Sequence, residues 1–286
     1  MDSAKANTHN LITVIKPAKN LLDLNLGELW QYRELIMLLA HRDFVALYKQ
    51  TILGSLWYFL QPLLQSLMFV FVFNKVAQLP TSGVPPLLFY MAGTVCWRYF
   101  AECVTKTANT FTSNQNLFDK VYFPRIAVPL AQLLTNLTGL IMGLIMFAAF
   151  YLYYFLQGAS IHVDWRIIVL PLLILQMAAL GLGIGCIISG LTTKYRDLQV
   201  MLGFLMQLWM YASCVVYPLQ KVPAQFRPVF DLNPIVFVIE SFRFAVLGQG
   251  TVTWGQVVIS SIISIFILVL GVLCFNRVAQ TSVDTA

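Results

Sequence analysis

The chain has 286 residues, of which 59% are hydrophobic and only 10% are charged. A soluble domain carries about 25% charged residues, so this composition excludes an ordinary soluble domain and indicates an integral membrane protein. The formal net charge of +6 is typical of Lys and Arg beside a membrane, and it gives no reason to predict a nucleic-acid partner.

The N-terminal part is predicted to be a polar cytoplasmic tail over 1–25, followed by an amphipathic helix over 26–50. The tail lacks the apolar core of a cleaved signal peptide. Within the helix, Ile36 and Leu39 can share an apolar side, while Arg33 and Arg42 supply a charged one. Such a helix is expected to lie in the membrane interface and not to cross it.

Six apolar stretches follow, and a membrane with roughly 30 Å of hydrocarbon needs about 20 apolar residues for each crossing. We therefore predict an all-α integral membrane fold, with a six-helix transmembrane domain over 51–276 and a cytoplasmic tail at 277–286. The spans are expected at about 51–74, 86–107, 127–156, 167–191, 199–217 and 255–275.

The segment between spans five and six is too apolar for a free loop and too interrupted by prolines for a span. It contains DLNPIVFVIESFRFAVLG. Irregular backbone at membrane depth must be satisfied within the protein, so we predict short helices here that are re-entrant or lie on the membrane surface.

Six spans place both termini on the same side of the membrane. Most of the 18 Lys and Arg residues fall in the N-terminal part, in the connectors 108–126 and 192–198, and in the C-terminal tail. Because basic short loops stay in the cytoplasm, we expect both termini and both connectors inside, in the cytoplasmic (inner) membrane of a bacterium.

Three charges lie within or beside span two, at i, i+4 and i+8: Arg98, Glu102 and Lys106. This ladder is expected to neutralise itself at a surface that faces protein. Gly139 and Gly143 in span three, and glycines at 181 and 185 in span four, have the four-residue spacing of closely packed membrane helices.

No catalytic set accompanies these spans. The chain has no G-x-x-x-x-G-K-[ST] loop to hold a nucleotide and no G-x-S-x-G nucleophile elbow, and its three His residues lack metal-ligand spacing. We therefore predict that it is not an enzyme and holds no metal or cofactor of its own.

A conduit for a polar substrate is the remaining interpretation, because spans one and five carry uncharged polar and aromatic side chains. Ordinary helix packing with hydrogen-bonded amides is the alternative. The predicted substrate path comprises Tyr58, Gln61, Gln65, Gln207, Met210 and Tyr211.

Four stretches, in this order, resemble the membrane (permease) subunits of polysaccharide ABC exporters, which export O-antigen, capsular polysaccharide and teichoic acid. They are LYKQTILGSLWYFLQPLLQ (47–65), SNQNLFDKVYFPRIAVPLA (113–131), KYRDLQ (194–199) and NPIVFVIESFRFAVLG (233–248). The resemblance implies two copies of this chain, two separate subunits that bind ATP, and a lipid-linked glycan that crosses between the two copies. A drug or small-lipid exporter of the same superfamily, or a membrane-bound glycosyl- or acyltransferase, is the alternative.

The resemblance also implies that the N-terminal helix and the two cytoplasmic connectors contact the ATPases. In the first connector, apolar side chains between charges face the cytosol and would need a partner surface. The predicted coupling residues are Asn116, Leu117, Phe118, Val121, Phe123, Arg125, Tyr195, Arg196 and Asp197.

We expect single cysteines in a cysteine-free background to report this orientation. Ser113→Cys should react with an impermeant thiol reagent only after the cells are opened, whereas Gln225→Cys should react in intact cells. The opposite labelling pattern would overturn the predicted topology.

Overall fold

The computed structural model describes residues 26–49, 53–81, 83–118, 120–121, 123–159, 161, 165–195, 197–248, 250 and 252–284. The regular elements of these ranges are helical and include no strand, which confirms the predicted all-α class. The α-helices are α1 (Leu26–Gln31), α2 (Arg33–Tyr48), α3 (Trp57–Phe69), α4 (Pro86–Ala108), α5 (Thr110–Ser113), α6 (Gln115–Phe118), α7 (Ala127–Leu156), α8 (Leu170–Lys194), α9 (Asp197–Tyr211), α10 (Arg227–Asp231), α11 (Pro234–Leu247) and α12 (Trp254–Asp284).

Shorter helical pieces extend or precede some of these helices. A π-helical segment continues α3, and 3₁₀ turns lie before α3, before α8 and before α10. Their bounds are Val70–Val76, Gly54–Leu56, Trp165–Val169 and Leu219–Lys221.

In the described ranges, four helical stretches are long and apolar enough to cross a membrane. They are Trp57–Val76, Ala127–Leu156, Arg166–Thr193 and Trp254–Ala279, and they correspond to predicted spans one, three, four and six. Helix α4 is long enough but carries three charges, and α9 has only 15 residues. Membrane crossing by α4 and α9 stays a prediction.

Two predicted bounds differ from the helices observed. Helix α9 ends at Tyr211, so the predicted span over 199–217 is not helical throughout. Cys214 has a φ of +56°, and Pro218 disfavours a helix before it, so the chain reverses there. Helix α12 continues to Asp284, because no Gly or Pro interrupts it after Phe275, and most of the predicted tail is helical.

Helix α4 lies at the centre of the fold. It packs against α3, α7, α8, α9 and α11, and most of its side chains are buried. The largest hydrophobic cluster of the chain is built around it. A helix in such a central position must be apolar on every side, or its polar groups must have partners in the protein.

Glycines allow α8 to approach two neighbours at once. A Cβ atom at Gly181 or Gly185 would collide with α4, at Cys103 and Thr107 respectively. On the other side, Gly183 and Gly271 bring the backbones of α8 and α12 into direct contact. The predicted close packing by small residues is thus confirmed for α8.

Helix α2 lies against the start of α7. Ile36 and Leu39 are buried in a small cluster with Phe123 and Ala131, and Thr135 donates a hydrogen bond to the carbonyl of Ala40 at 3.2 Å. Its other sides are mixed in character, since apolar Met37 and Leu38 are exposed beside charged groups. Its position in a membrane interface stays a prediction.

We expect Gly271→Ala to destabilise the chain, because its Cβ would meet the backbone of Gly183. Overpacking of this kind costs roughly 1–3 kcal/mol. Gly255→Ala, in the first turn of the same helix, is the matched control, since a Cβ there meets nothing within 4 Å. Thermal unfolding in detergent should show a lower midpoint for Gly271→Ala alone; equal midpoints would contradict the packing described.

Candidate functional site: the α3–α9 face and the connector after α4

Helices α3 and α9 lie side by side on α4. Ser66 of α3 and Thr94 of α4 share a hydrogen bond of 3.0 Å between their hydroxyls. Trp209 of α9 packs edge-to-face on Phe100 of α4, with ring centroids 5.3 Å apart. Gln65 then connects the two outer helices directly, because its Nε2 lies 3.7 Å from the sulfur of Met210.

The structure divides the predicted substrate path into exposed and buried members. Gln61, Gln207 and Tyr211 are exposed, and Gln65 is half-buried. Tyr58 and Met210 are only 7% and 3% exposed, so they do not line an open face of the chain. These two placements correct the uniform stripe that helical spacing indicated.

Tyr58 is buried because α7 covers it. A Cβ atom at Gly139 would collide with the Tyr58 ring, so this glycine makes the room that the ring occupies. The guanidinium of Arg98 lies 5.6 Å from the ring centroid, a cation–π distance. Tyr58 thus packs three helices together.

The rest of the exposed surface of α3 and α9 is apolar. Its large members are Trp57, Leu64, Leu67 and Met68 on α3, and Val200, Met201, Phe204, Leu205 and Leu208 on α9. The exposed amides of Gln61 and Gln207 are therefore isolated polar groups on hydrophobic helices. From Trp57 to Phe73 the sequence carries no formal charge, and in α9 only Asp197, at its start, does.

The charges of α4 separate into two interactions. Arg98 Nε lies 2.8 Å from Glu102 Oε1, so these residues, one helical turn apart, form an ion pair. Lys106 does not continue it; its ammonium donates to Asn136 Oδ1 of α7 at 2.6 Å. The cavity beside the ion pair measures about 10 Å³, which is room for no more than one water molecule.

A buried arginine that the sequence analysis did not select holds the chain reversal after α9. Arg243 of α11 is 1% exposed and donates to the carbonyls of Cys214 at 2.7 Å and Val215 at 2.5 Å. Its guanidinium lies 3.9 Å from the ring centroid of Phe89, and Gly93 leaves space for it on α4. The signal was present as ESFR, two opposite charges three residues apart in an apolar segment.

Glu240 is the charged partner of Arg243, so the guanidinium is not buried as an isolated charge. Its Oε1 accepts from Arg243 at 3.3 Å and from the backbone N–H of Leu219 at 3.3 Å. The carboxylate of Glu240 offsets part of the cost of burying the guanidinium charge. A buried charge without such partners would be strongly destabilising.

The connector after α4 packs its aromatic residues into the chain itself. Phe118 lies between Phe111 and Phe123, with ring centroids 5.8 and 5.7 Å away. Arg125 lies 5.5 Å from the Phe118 ring and donates to the carbonyl of Ala279 in α12 at 2.8 Å. Phe118 and Phe123 thus do not depend on a partner surface to be covered, contrary to the reasoning from their spacing.

Other predicted coupling residues remain accessible. Val121 is 50% exposed, Asn116 is exposed and Leu117 is half-buried. Tyr195 and Asp197, between α8 and α9, are also exposed, and Arg196 lies outside the described residues. The exposed set therefore forms two short segments, one before α7 and one before α9.

Comparison with known proteins assigns the family. Residues 34–247, most of the chain, match the family described as ABC-2 type transporter. The matched region begins in α2 and ends with α11, so it includes the α3–α9 face, the connector after α4 and the buried Arg243.

Several characterised proteins are similar along most of their length. An O-antigen export system permease protein, RfbA of Myxococcus xanthus, is 29% identical over 76% of this chain and 81% of its own. RfbA of Klebsiella pneumoniae is 27% identical over 88% of this chain and 94% of its own. The polysialic acid transport protein KpsM of Escherichia coli is 23% identical over 68% of this chain and 74% of its own. The chain belongs to the ABC-2 type transporter family of membrane proteins.

Proposed function

We propose that this chain is the membrane subunit of an ATP-driven exporter that moves a lipid-linked polysaccharide of the O-antigen class out of the cytoplasm. The observation that carries the proposal is the extent of the similarity. Two proteins named as O-antigen export permeases align with 88% of this chain and 94% of their own length. The shared part therefore includes the helices that would form the transport route.

Six membrane crossings fit the helices observed. Helix α4 has 23 residues, about 34 Å at 1.5 Å per residue, and this exceeds the roughly 30 Å of hydrocarbon. Its charges would not meet lipid, because they lie against α3 and α7 and bond within the protein. Helix α9 with the buried reversal after it supplies the remaining crossing, and both termini then lie in the cytoplasm.

Re-entrant helices at 219–247 fit the burial of α11. This helix has 14 residues, about 21 Å, which is too short to cross. Nearly all its side chains are nevertheless buried, and it packs on α4, α8 and α12. In the proposed topology, α10 and α11 return to the outer side of the membrane, where they cover the end of the conduit.

The α3–α9 face has the chemistry that a moving glycan needs. A sugar has apolar C–H faces and a rim of hydroxyls. A route that binds it weakly enough to release it should therefore have an aromatic or apolar surface with a few uncharged hydrogen-bonding groups. Exposed Gln61, Gln207 and Tyr211 supply these groups on uncharged helix surfaces. In a second copy of the chain the same face would complete the route.

The energy source is proposed to be a pair of separate ATPase subunits. The sequence has no phosphate-binding loop, so ATP would be bound by the partner. Exposed Asn116 and Val121, together with Tyr195 and Asp197, are the groups available for contact on the cytoplasmic side. Phe118 and Arg125 would pass movement to α12, since they join the connector to that helix.

Deletion of the gene should remove the polysaccharide from the cell surface and leave polymer inside the cell. The unchanged chain should restore it, whereas Gln61→Leu combined with Gln207→Leu should reduce surface polymer several-fold, because both hydroxyl-binding amides are lost. Gln157→Leu, an exposed amide at the end of α7, is the control. Normal surface polymer after deletion would refute the proposed function.

Phe118→Asp and Val121→Asp should distinguish a side chain that packs within the chain from one that contacts the ATPase. Phe118→Asp places a charge between two rings and should lower thermal stability by an amount typical of core disruption, about 3 kcal/mol or more. Val121→Asp changes an exposed side chain. It should leave thermal stability unchanged and weaken co-purification of the ATPase. Equal stability of the two variants would contradict the packing of Phe118; full ATPase retention by Val121→Asp would exclude that contact.

A further inference from the structure

A second cavity lies outside the α3–α9 face. It measures about 460 Å³ and opens between α2, the end of α4, the turn around α5 and the start of α7. Hydroxyl and amide groups line it together with Arg42, Asp43 and Lys106. Cavities of roughly 300–1,000 Å³ are the size that small organic ligands occupy.

The cavity carries one positive charge without a carboxylate partner in the described ranges. Arg42 is neutralised by Asp43, whose Oδ1 lies 2.9 and 2.7 Å from two of its nitrogens. Glu102, the nearest carboxylate along α4, already forms an ion pair with Arg98. The ammonium of Lys106 has three donors, and its one described contact is the amide oxygen of Asn136. Two donors and a full charge are therefore available to a ligand.

A neutral hydrogen-bond donor is also unused in the wall. Gln132 accepts from Thr110 through Oε1 at 3.4 Å, and no described group accepts from its Nε2. An ammonium and an amide donor that line one cavity are groups suited to binding an anion.

We propose that this cavity binds the phosphate group of a phosphate ester. The phosphate oxygens would accept from Lys106 and from the amide of Gln132. Phosphate bound by a lysine and neutral donors is a common arrangement in proteins.

Such an ester has two sources, a lipid headgroup or a soluble phosphate ester. The lipid source rests on the proposed topology, in which α2 lies in the cytoplasmic interface and exposes Met37 and Leu38 beside the cavity. Headgroup phosphates would then be at the depth of Lys106. The soluble source requires only that the cavity opens to water.

Binding to the purified full chain tests the proposal without any transport measurement. The probes are dioctanoyl phosphatidylglycerol and water-soluble glycerol 3-phosphate. Lys106→Gln should weaken binding of phosphatidylglycerol about tenfold or more, as expected for a charge-assisted hydrogen bond, and Lys106→Arg should restore part of it. Lys75→Gln, an exposed lysine outside the cavity, should have no effect.

Gln132→Leu should also weaken binding of phosphatidylglycerol, because an amide donor to the phosphate is lost. Binding of phosphatidylglycerol without glycerol 3-phosphate assigns the lipid source, and binding of both assigns a soluble ester. Binding that Lys106→Gln and Gln132→Leu both leave unchanged, or no binding of either probe, would overturn the site. Since surface polymer is not measured, this result is independent of whether the chain exports a polysaccharide.

Discussion

The enclosure of α4 is the constraint on which the rest of the structure depends. This helix carries an ion pair and a lysine, so it cannot face hydrocarbon on its charged side. Five other helices cover it, and each does so through a matched contact: glycines on α8, the Ser66–Thr94 bond on α3, Asn136 on α7, Trp209 on α9 and the guanidinium of Arg243 on α11. The order of helices around α4 follows from where these contacts are possible.

Rigid and open parts of the chain are thereby separated. Behind α4, the helices α8 and α12 are joined by close glycine contacts and by hydroxyl and amide bonds such as Gln176 to Ser260 at 2.7 Å. In front, α3 and α9 present exposed amides on uncharged surface. The connector that would receive movement from an ATPase reaches the rigid side through Arg125 and α12. In the proposed function, the open face would form one half of a conduit shared by two copies of the chain.

The sequence predicted the positions of the helices better than it predicted which neighbours cover each side chain. Hydropathy placed the third span at 127–156, where α7 was found, and four-residue glycine spacing predicted the tight packing of α8. Helical spacing placed Tyr58, Gln61 and Gln65 on one side of α3, but it does not tell which neighbour covers that side, and α7 covers Tyr58. The packing of Phe118 was not predicted for the same reason, since spacing does not show that the connector folds its ring against Phe111 and Phe123. The opposite charges of ESFR could have indicated the Arg243–Glu240 pair, but no side-chain pattern reveals that Arg243 binds the backbone carbonyls at Cys214 and Val215.

Reconstitution with the partner ATPase in sealed vesicles tests the central claim most directly. Vesicles that contain this chain and the ATPase should transfer a lipid-linked polysaccharide from the outer to the inner leaflet, when ATP is outside, so that the glycan becomes protected from an added glycosidase. We predict protection that requires ATP and both proteins and that falls when Gln61 and Gln207 are replaced by Leu. ATP hydrolysis by the complete complex without any protection of the glycan would contradict the account.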